Sequence, residues 1–307
     1  MMFAAVSFPD PLRFQAYPGV YALVAGLVGG YLVLARVVRP RAAALGAPPL
    51  TGRQWAAFAG AILTILVAGA SPLRGLADDY LAAAHALQLV LLSLVLPPLV
   101  WRATPEWAVR GLLHTARRQR IATLLVRPLP VALLFNLVLV LVQLPGVVDE
   151  AVANSAVRFG CCTVVVGVSL LMWLPVAGPV RAWRMGDGAR MATLFLTSVL
   201  FSLPSVWLTI ADGVVYERYG AQPVRVWSLT PIQDQQLAGV VMKVGSLFLW
   251  MVVVWLFLRR FAREAALGRA NRQMPAAEIT GHDEVSLTFD DVQRAFERSQ
   301  APRESAR

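Results

Sequence analysis

The run LAAAHALQLVLLSLVLPPLVW, Leu81 to Trp101, decides the class of this protein. It holds no Asp, Glu, Lys or Arg. A bilayer core of ~30 Å needs about 20 helical residues at 1.5 Å each, and this single run is long enough. Working outward, further apolar runs cover Tyr17–Ala35, Gln54–Ala70, Pro128–Leu144, Val157–Leu174, Met191–Ile210 and Leu237–Leu258. The chain reads as an all-α polytopic membrane protein, a bundle of seven transmembrane helices over residues 17–258. Residues 1–16 form an extracytoplasmic N-terminal segment, and residues 259–307 form a cytoplasmic tail.

Composition agrees. Of 307 residues 57% are hydrophobic and only 15% charged, with a mean hydropathy of +0.60. A soluble domain carries roughly 25% charged residues, so a soluble enzyme and a disordered chain are both excluded. The net charge is +10, and all but Lys243 of the basic residues are arginines. They lie in short loops between apolar runs, which favours membrane orientation over nucleic-acid binding. Arg36, Arg39, Arg41 and Arg53 follow span 1. Arg102, Arg110, Arg117, Arg118, Arg120 and Arg127 follow span 3. Arg181, Arg184 and Arg190 follow span 5, and Arg259, Arg260 and Arg263 follow span 7. The alternate loops hold five arginines, Arg13, Arg74, Arg158, Arg218 and Arg225, against these sixteen. The N-terminus is therefore expected outside and the C-terminus in the cytoplasm. No basic n-region and small-residue cleavage site mark a removable leader.

Two further helices are expected beside the spans. Thr104-Pro105 opens an amphipathic interfacial helix reaching Val126. In the tail, Leu287-Thr288-Phe289-Asp290-Asp291-Val292 has capping-box and staple spacing, which predicts a short amphipathic helix near residues 289–299.

Strongly polar residues inside the spans are few: His85, Gln88, Asn136, Gln143 and Lys243. An ionisable group at membrane depth marks a functional hypothesis. His85 and Gln88 are three apart and share a helix face. Asp78, Asp79 and Tyr80 precede them. Cys161 and Cys162 stand near the outer end of span 5. Gln235, Gly239, Met242 and Ser246 fall on one face of span 7, with Asp234 just above. Imidazole, thiolate and thioether together suit copper, Cu(I) in particular. His85, Met242, Cys161 and Cys162 are the candidate metal ligands. Gln88, Asp79, Tyr80, Asp234 and Gln235 are candidates to orient ligands or a partner. Each cysteine and Met242 is equally suited to plain core packing. The vicinal cysteines, with Cα atoms ~3.8 Å apart, are poorly placed for a mutual disulfide. His114 and His282 read as solvated. No Gly-rich phosphate loop or Ser/His/Asp set is present, so no enzyme is indicated. A retinal protein would place its lysine deeper than Lys243 and needs a carboxylate counter-ion that the spans lack. A b-type cytochrome would need paired membrane histidines.

Several segments resemble the seven-span CtaG-like cytochrome c oxidase assembly factors. They are Ser71-Pro72-Leu73, Tyr80 through Gln88, Leu96-Pro97-Pro98-Leu99, Trp173-Leu174-Pro175, Tyr216-Glu217-Arg218-Tyr219 and Leu229-Thr230-Pro231-Ile232. The most specific is Asp234-Gln235-Gln236-Leu237-Ala238-Gly239-Val240-Val241-Met242 as span 7 opens. The resemblance implies an assembly factor for a haem–copper oxidase in the bacterial cytoplasmic (inner) membrane. It would assist copper delivery or insertion from the outer face, beside oxidase subunits and other copper chaperones. His85 and Gln88 match the first histidine and the glutamine of the family's H-x-x-Q-H pattern, whereas Leu89 replaces the second histidine. Asn154 and Ser155 stand where further histidines are expected, and Lys243 where an aromatic usually follows Met242. Two alternatives stay open: a scaffold that binds oxidase subunits without metal, and a transporter of copper or another small solute. The second needs a polar path through the bilayer, yet the residues below His85 and Met242 are mostly apolar.

Overall fold

A computed structural model describes residues 15–44, 46–70, 72–112, 127–273, 289–290 and 293–294. Among these residues the chain is helical throughout, with no strand. Six helices are long and apolar enough to cross a membrane, and a bent pair makes up to seven. We number the main helices α1 (Pro18–Ala43), α2 (Gly52–Gly69), α3 (Ala82–Ala103), α4 (Pro128–Val142), α5 (Pro145–Ala153), α6 (Ser155–Ala177), α7 (Asp187–Ile210) and α8 (Pro231–Gln273). By packing the chain divides into Met1–Phe257 and Leu258–Arg307.

The seven expected spans match these helices, and the departures fall at prolines and caps. Span 5 was read to Leu174, just before Pro175; the helix runs on, so that Pro175 lies inside α6, as Pro204 lies inside α7. A proline in a membrane helix is tolerated where neighbouring groups satisfy the freed carbonyls. In α3 the Leu96-Pro97-Pro98 step follows a π-helical turn, Leu91–Val95, which absorbs the missing backbone donors. A second π turn, Leu34–Val38, carries α1 past Arg36 and on through Pro40. The helix thus outruns its apolar stretch by two turns.

Span 4 differs most. Here α4 ends at Val142, and Pro145 starts a new helix bent 66° from it. Leu144, held extended before the proline (ψ 138°), makes the corner. Alone, the 15 residues of α4 reach only about 22 Å, so the span is complete only as the pair α4–α5. Of the expected interfacial helix, Glu106–Leu112 is helical, and residues 113–126 lie outside the described residues. In the tail Phe289, Asp290, Gln293 and Arg294 are helical; the rest of that expected helix lies outside them too, as do His114 and His282.

The core joins α3, α4, α6, α7 and α8. Leu94, Phe135, Met172, Leu194, Phe201, Leu208, Met242 and Leu249 are among its fully buried side chains. Two indole N–H groups cross-link α3 and α6: Trp101 donates to the Leu170 carbonyl at 2.8 Å, and Trp173 to that of Ser93 at 3.1 Å. Such interhelical bonds and small contact residues hold membrane bundles together, because lipid offers no hydrophobic drive between helices. Gly239 is the closest contact of this kind. The Ser205 hydroxyl donates to its carbonyl at 2.7 Å. A Cβ there would lie 2.8 Å from the Ser205 carbonyl oxygen and would also collide with the Thr209 hydroxyl.

Gly239→Ala should therefore force α7 and α8 apart and destabilise the fold by roughly 1–3 kcal/mol, the usual cost of overpacking. Gly167→Ala, whose Cβ would meet nothing within 4 Å, is the matched control. Thermal unfolding in detergent should show a lower midpoint for the first variant only.

Candidate functional site

Residues from four helices converge near one end of the bundle. In α3 the 3.6-residue repeat puts His85, Gln88, Leu89 and Leu92 on one side. In α6 it does the same for Arg158, Cys161, Cys162 and Val165. Together with Val142 of α4 and Ala151 of α5 they line one cavity of about 20 Å³. That is room for a single water or ion, since a water centre needs roughly 10–15 Å³. The structure thus puts His85, Gln88, Cys161 and Cys162 on the wall of one cavity. Both cysteines are free thiols.

Met242 is fully buried and does not line this cavity. Its link to the cavity runs through Gln143, one of the few polar residues of the spans and not among the candidate site residues. The Gln143 Nε2 donates to the Met242 sulfur at 3.0 Å, and its carboxamide is also the polar neighbour of the His85 imidazole. The Tyr216 hydroxyl donates to the Gln143 backbone carbonyl at 3.1 Å, holding that helix end in place. Among the described residues no three His, Cys, Asp or Glu side chains are grouped closely enough to hold a metal ion.

Asp234 and Gln235 are turned inward, and their polar atoms are engaged within the fold. The two Asp234 carboxylate oxygens accept from the backbone N–H groups of Ala82 (2.8 Å) and Ala83 (3.1 Å). These are orphan donors at the start of α3, and a negative charge there also suits the helix dipole. Asp234 thus caps, from another helix, the span that carries His85. The Gln235 Oε1 accepts from the Val215 N–H at 2.6 Å, and its Nε2 donates to the carbonyls of Leu208 and Gly213, each at 3.2 Å. It fastens the loop between α7 and α8. Gln88 donates to the Ala68 carbonyl at 2.7 Å and so ties α3 to the last turn of α2.

Of the acidic pair before α3, Asp78 is the buried member and Asp79 is exposed. Partial burial and then the Asp78 charge raise the Asp79 carboxyl above its ordinary range, with Arg158 opposing. Tyr80 packs against an apolar cluster of Leu76, Ala77, Leu81, Ala84 and Val226. Neither Asp79 nor Tyr80 lines the cavity. Asp78 pairs with Arg158 at 2.5 Å and with Arg74 at 3.3 Å. Arg158 also donates to the carbonyls of Ala151, Asp78 and Val152. Arg74 in turn stacks on Tyr17, 4.3 Å from the ring centre. Tyr219 closes this end, donating to the Ala77 carbonyl at 2.5 Å with its ring 6.4 Å from that of His85. Burial raises the Tyr219 hydroxyl far above the normal tyrosine range, so it stays a neutral donor. Arg158 was counted as a loop charge in the sequence. Its signal was the lone charge inside the apolar run Val157–Leu174, four residues before Cys162. Lys243 faces outward and takes no part.

The family model described as cytochrome c oxidase caa3 assembly factor matches residues 29–264. The chain belongs to that family. No curated protein and no solved structure matches it. The match spans α2 through most of α8. It therefore includes the cavity, the Asp234 cap and the Arg158–Asp78 pair.

Two expectations follow from the geometry. Asp234→Ala should lose the cap of α3, costing about 0.5–2 kcal/mol and speeding hydrogen exchange at Ala82 and Ala83. Asp234→Asn keeps an acceptor and should lose less. Removing one partner of the buried Arg158–Asp78 pair should cost roughly 3–5 kcal/mol. The double variant Asp78→Asn/Arg158→Gln should be less damaged than the sum of the two single changes, as read by a thermal double-mutant cycle.

Proposed function

We propose that this multi-pass membrane protein assists assembly of a cytochrome c oxidase of the caa3 type by passing it copper, as Cu(I), through the cavity between α3 and α6. One observation carries the reading: an imidazole and two free thiols border the same small cavity. Soft sulfur donors with imidazole select Cu(I), and Cu(I) is content with two such ligands. The His85, Cys161 and Cys162 side chains are the donors. Gln143 orients the imidazole, and Met242 lies one hydrogen bond behind it as a second station. Among the described residues no three His, Cys, Asp or Glu side chains are grouped to hold a metal ion, so the copper reading rests on the cavity wall. Arg158 is a cation at the cavity wall, but its charge is engaged by Asp78, which eases the approach of a metal cation to neighbouring thiolates. In this reading the cavity opens towards the outer face of a bacterial inner membrane, the side away from the arginine-rich loops. No reaction is assigned to the protein itself.

The same lack of a grouped ligand set favours a second reading, a scaffold that holds oxidase subunits without metal. The two separate on His85→Ala and on the double variant Cys161→Ser/Cys162→Ser. In a copper-passing protein, each should weaken Cu(I) retention by the purified protein at least about tenfold, a loss of roughly 1.4 kcal/mol, in competition with a chelator. Each should also lower copper per haem in the assembled oxidase, and added copper should restore it. If the unaltered protein retains no Cu(I), and both variants assemble a copper-replete oxidase, the copper reading is wrong and the scaffold stands.

A further inference from the structure

A second cleft lies at the other end of the bundle, where the helices run out into arginine-rich segments. It has a volume of about 1200 Å³. Arg41, Arg102, Arg110, Arg181 and Arg184 line it, and Glu106 is the one carboxylate among the lining residues. Glu106 is already paired with Arg110 at 2.7 Å. Among the described residues, Arg41, Arg102 and Arg181 have no ion-pair partner. Arg184 is anchored through its Nε to the Gly178 carbonyl at 2.6 Å, which fixes the root of its guanidinium fork.

These charges crowd one another. Partial burial lowers the Arg184 pKa, and the nearby Arg190, Arg181 and Arg102 charges lower it further, against a single opposing effect from Glu106. A set of guanidinium groups with so little internal compensation needs an external anion. Arginine forks match the paired oxygens of a phosphate. Much of the remaining wall is apolar, with Leu34, Val38, Trp101, Trp107 and Ala177, and Thr51, Gln54 and Thr104 are its uncharged polar side chains. A free anion gains nothing from such a wall. A headgroup attached to acyl chains uses both halves, and tryptophan is favoured at that depth.

We propose that this cleft binds the phosphate headgroup of an anionic phospholipid, with the arginines on the phosphate and the apolar wall against the start of its chains. The site is separate from the His85 cavity and does not depend on the copper reading. Basic pockets between membrane helices are suited to anionic headgroups.

The test uses the purified full chain in nanodiscs of phosphatidylcholine alone or of phosphatidylcholine with phosphatidylglycerol. Phosphatidylglycerol should raise the thermal midpoint. Native mass spectrometry of protein released from the mixed nanodiscs should retain phosphatidylglycerol preferentially. Arg181→Gln/Arg184→Gln should reduce that retention roughly tenfold or more, whereas Arg218→Gln, at the opposite end, should leave it unchanged. Glu106→Gln removes the opposing carboxylate and should increase retention, a gain that a misfolded variant cannot produce. Equal retention of both lipids by the unaltered protein would overturn the proposal. So would retention insensitive to the Arg181/Arg184 change, or inorganic phosphate giving the same stabilisation as phosphatidylglycerol, which would leave only a free-anion site.

Discussion

The Asp234 carboxylate bonded to the first N–H groups of α3 is the contact on which the rest of this arrangement depends. Inside a membrane an unsatisfied backbone donor costs several kcal/mol, and a helix start has four of them. The chain satisfies two of those in α3 with a charged side chain from the start of α8. One interaction therefore ends a helix, joins two spans distant in sequence and fixes the depth of His85, which follows within the next turn. Gln235, the next residue, fastens the preceding loop, and Gly239, one turn on, lets α7 approach to backbone contact. Met242, a further turn down, receives the Gln143 amide. The run Asp-Gln-Gln-Leu-Ala-Gly-Val-Val-Met works as a connector whose inward residues meet α3, α7 with its following loop, and the end of α4.

Around that connector the polar chemistry is divided between two layers. Near the end of the bundle, Arg74, Asp78, Arg158 and Tyr219 form a network that closes the gap between α3, α6 and the loop before α8. Just beneath it lie the imidazole, the two thiols and the carboxamides. Ions are expensive at depth, and here the charged groups stay shallow and paired while the neutral donors go deeper. An ion entering from this side would meet a gate of compensated charge before it met sulfur.

Much of the architecture is legible in the residues. The apolar runs place the spans, because about 20 uncharged residues in a helix have no other stable setting than a bilayer. His85, Gln88, Cys161 and Cys162 could be put at one depth because helical spacing fixes both height and face. The bend after span 4 was less legible: Pro145-Gly146 reads equally as the end of a helix or as the start of another, and only packing of Val148 and Ala151 into the core selects the second. Arg158 was misread for a related reason. A charge close to a span's end belongs to the loop or to the interior depending on whether a partner waits there, and Asp78 is 80 residues away in sequence.

The sequence by itself determined a helical membrane bundle, its spans and the family motif, since these follow from local hydropathy, spacing and residue order. Only the tertiary structure decided what the polar residues do. It assigned Asp234 to a helix cap and Gln235 to a loop, set Asp79 outside and Asp78 inside, and separated Met242 from the cavity by one carboxamide. Helical period fixes which way a side chain points, but not which donor or acceptor another helix brings to meet it. Where lipid supplies no hydrogen bonds, that meeting determines each polar group's role.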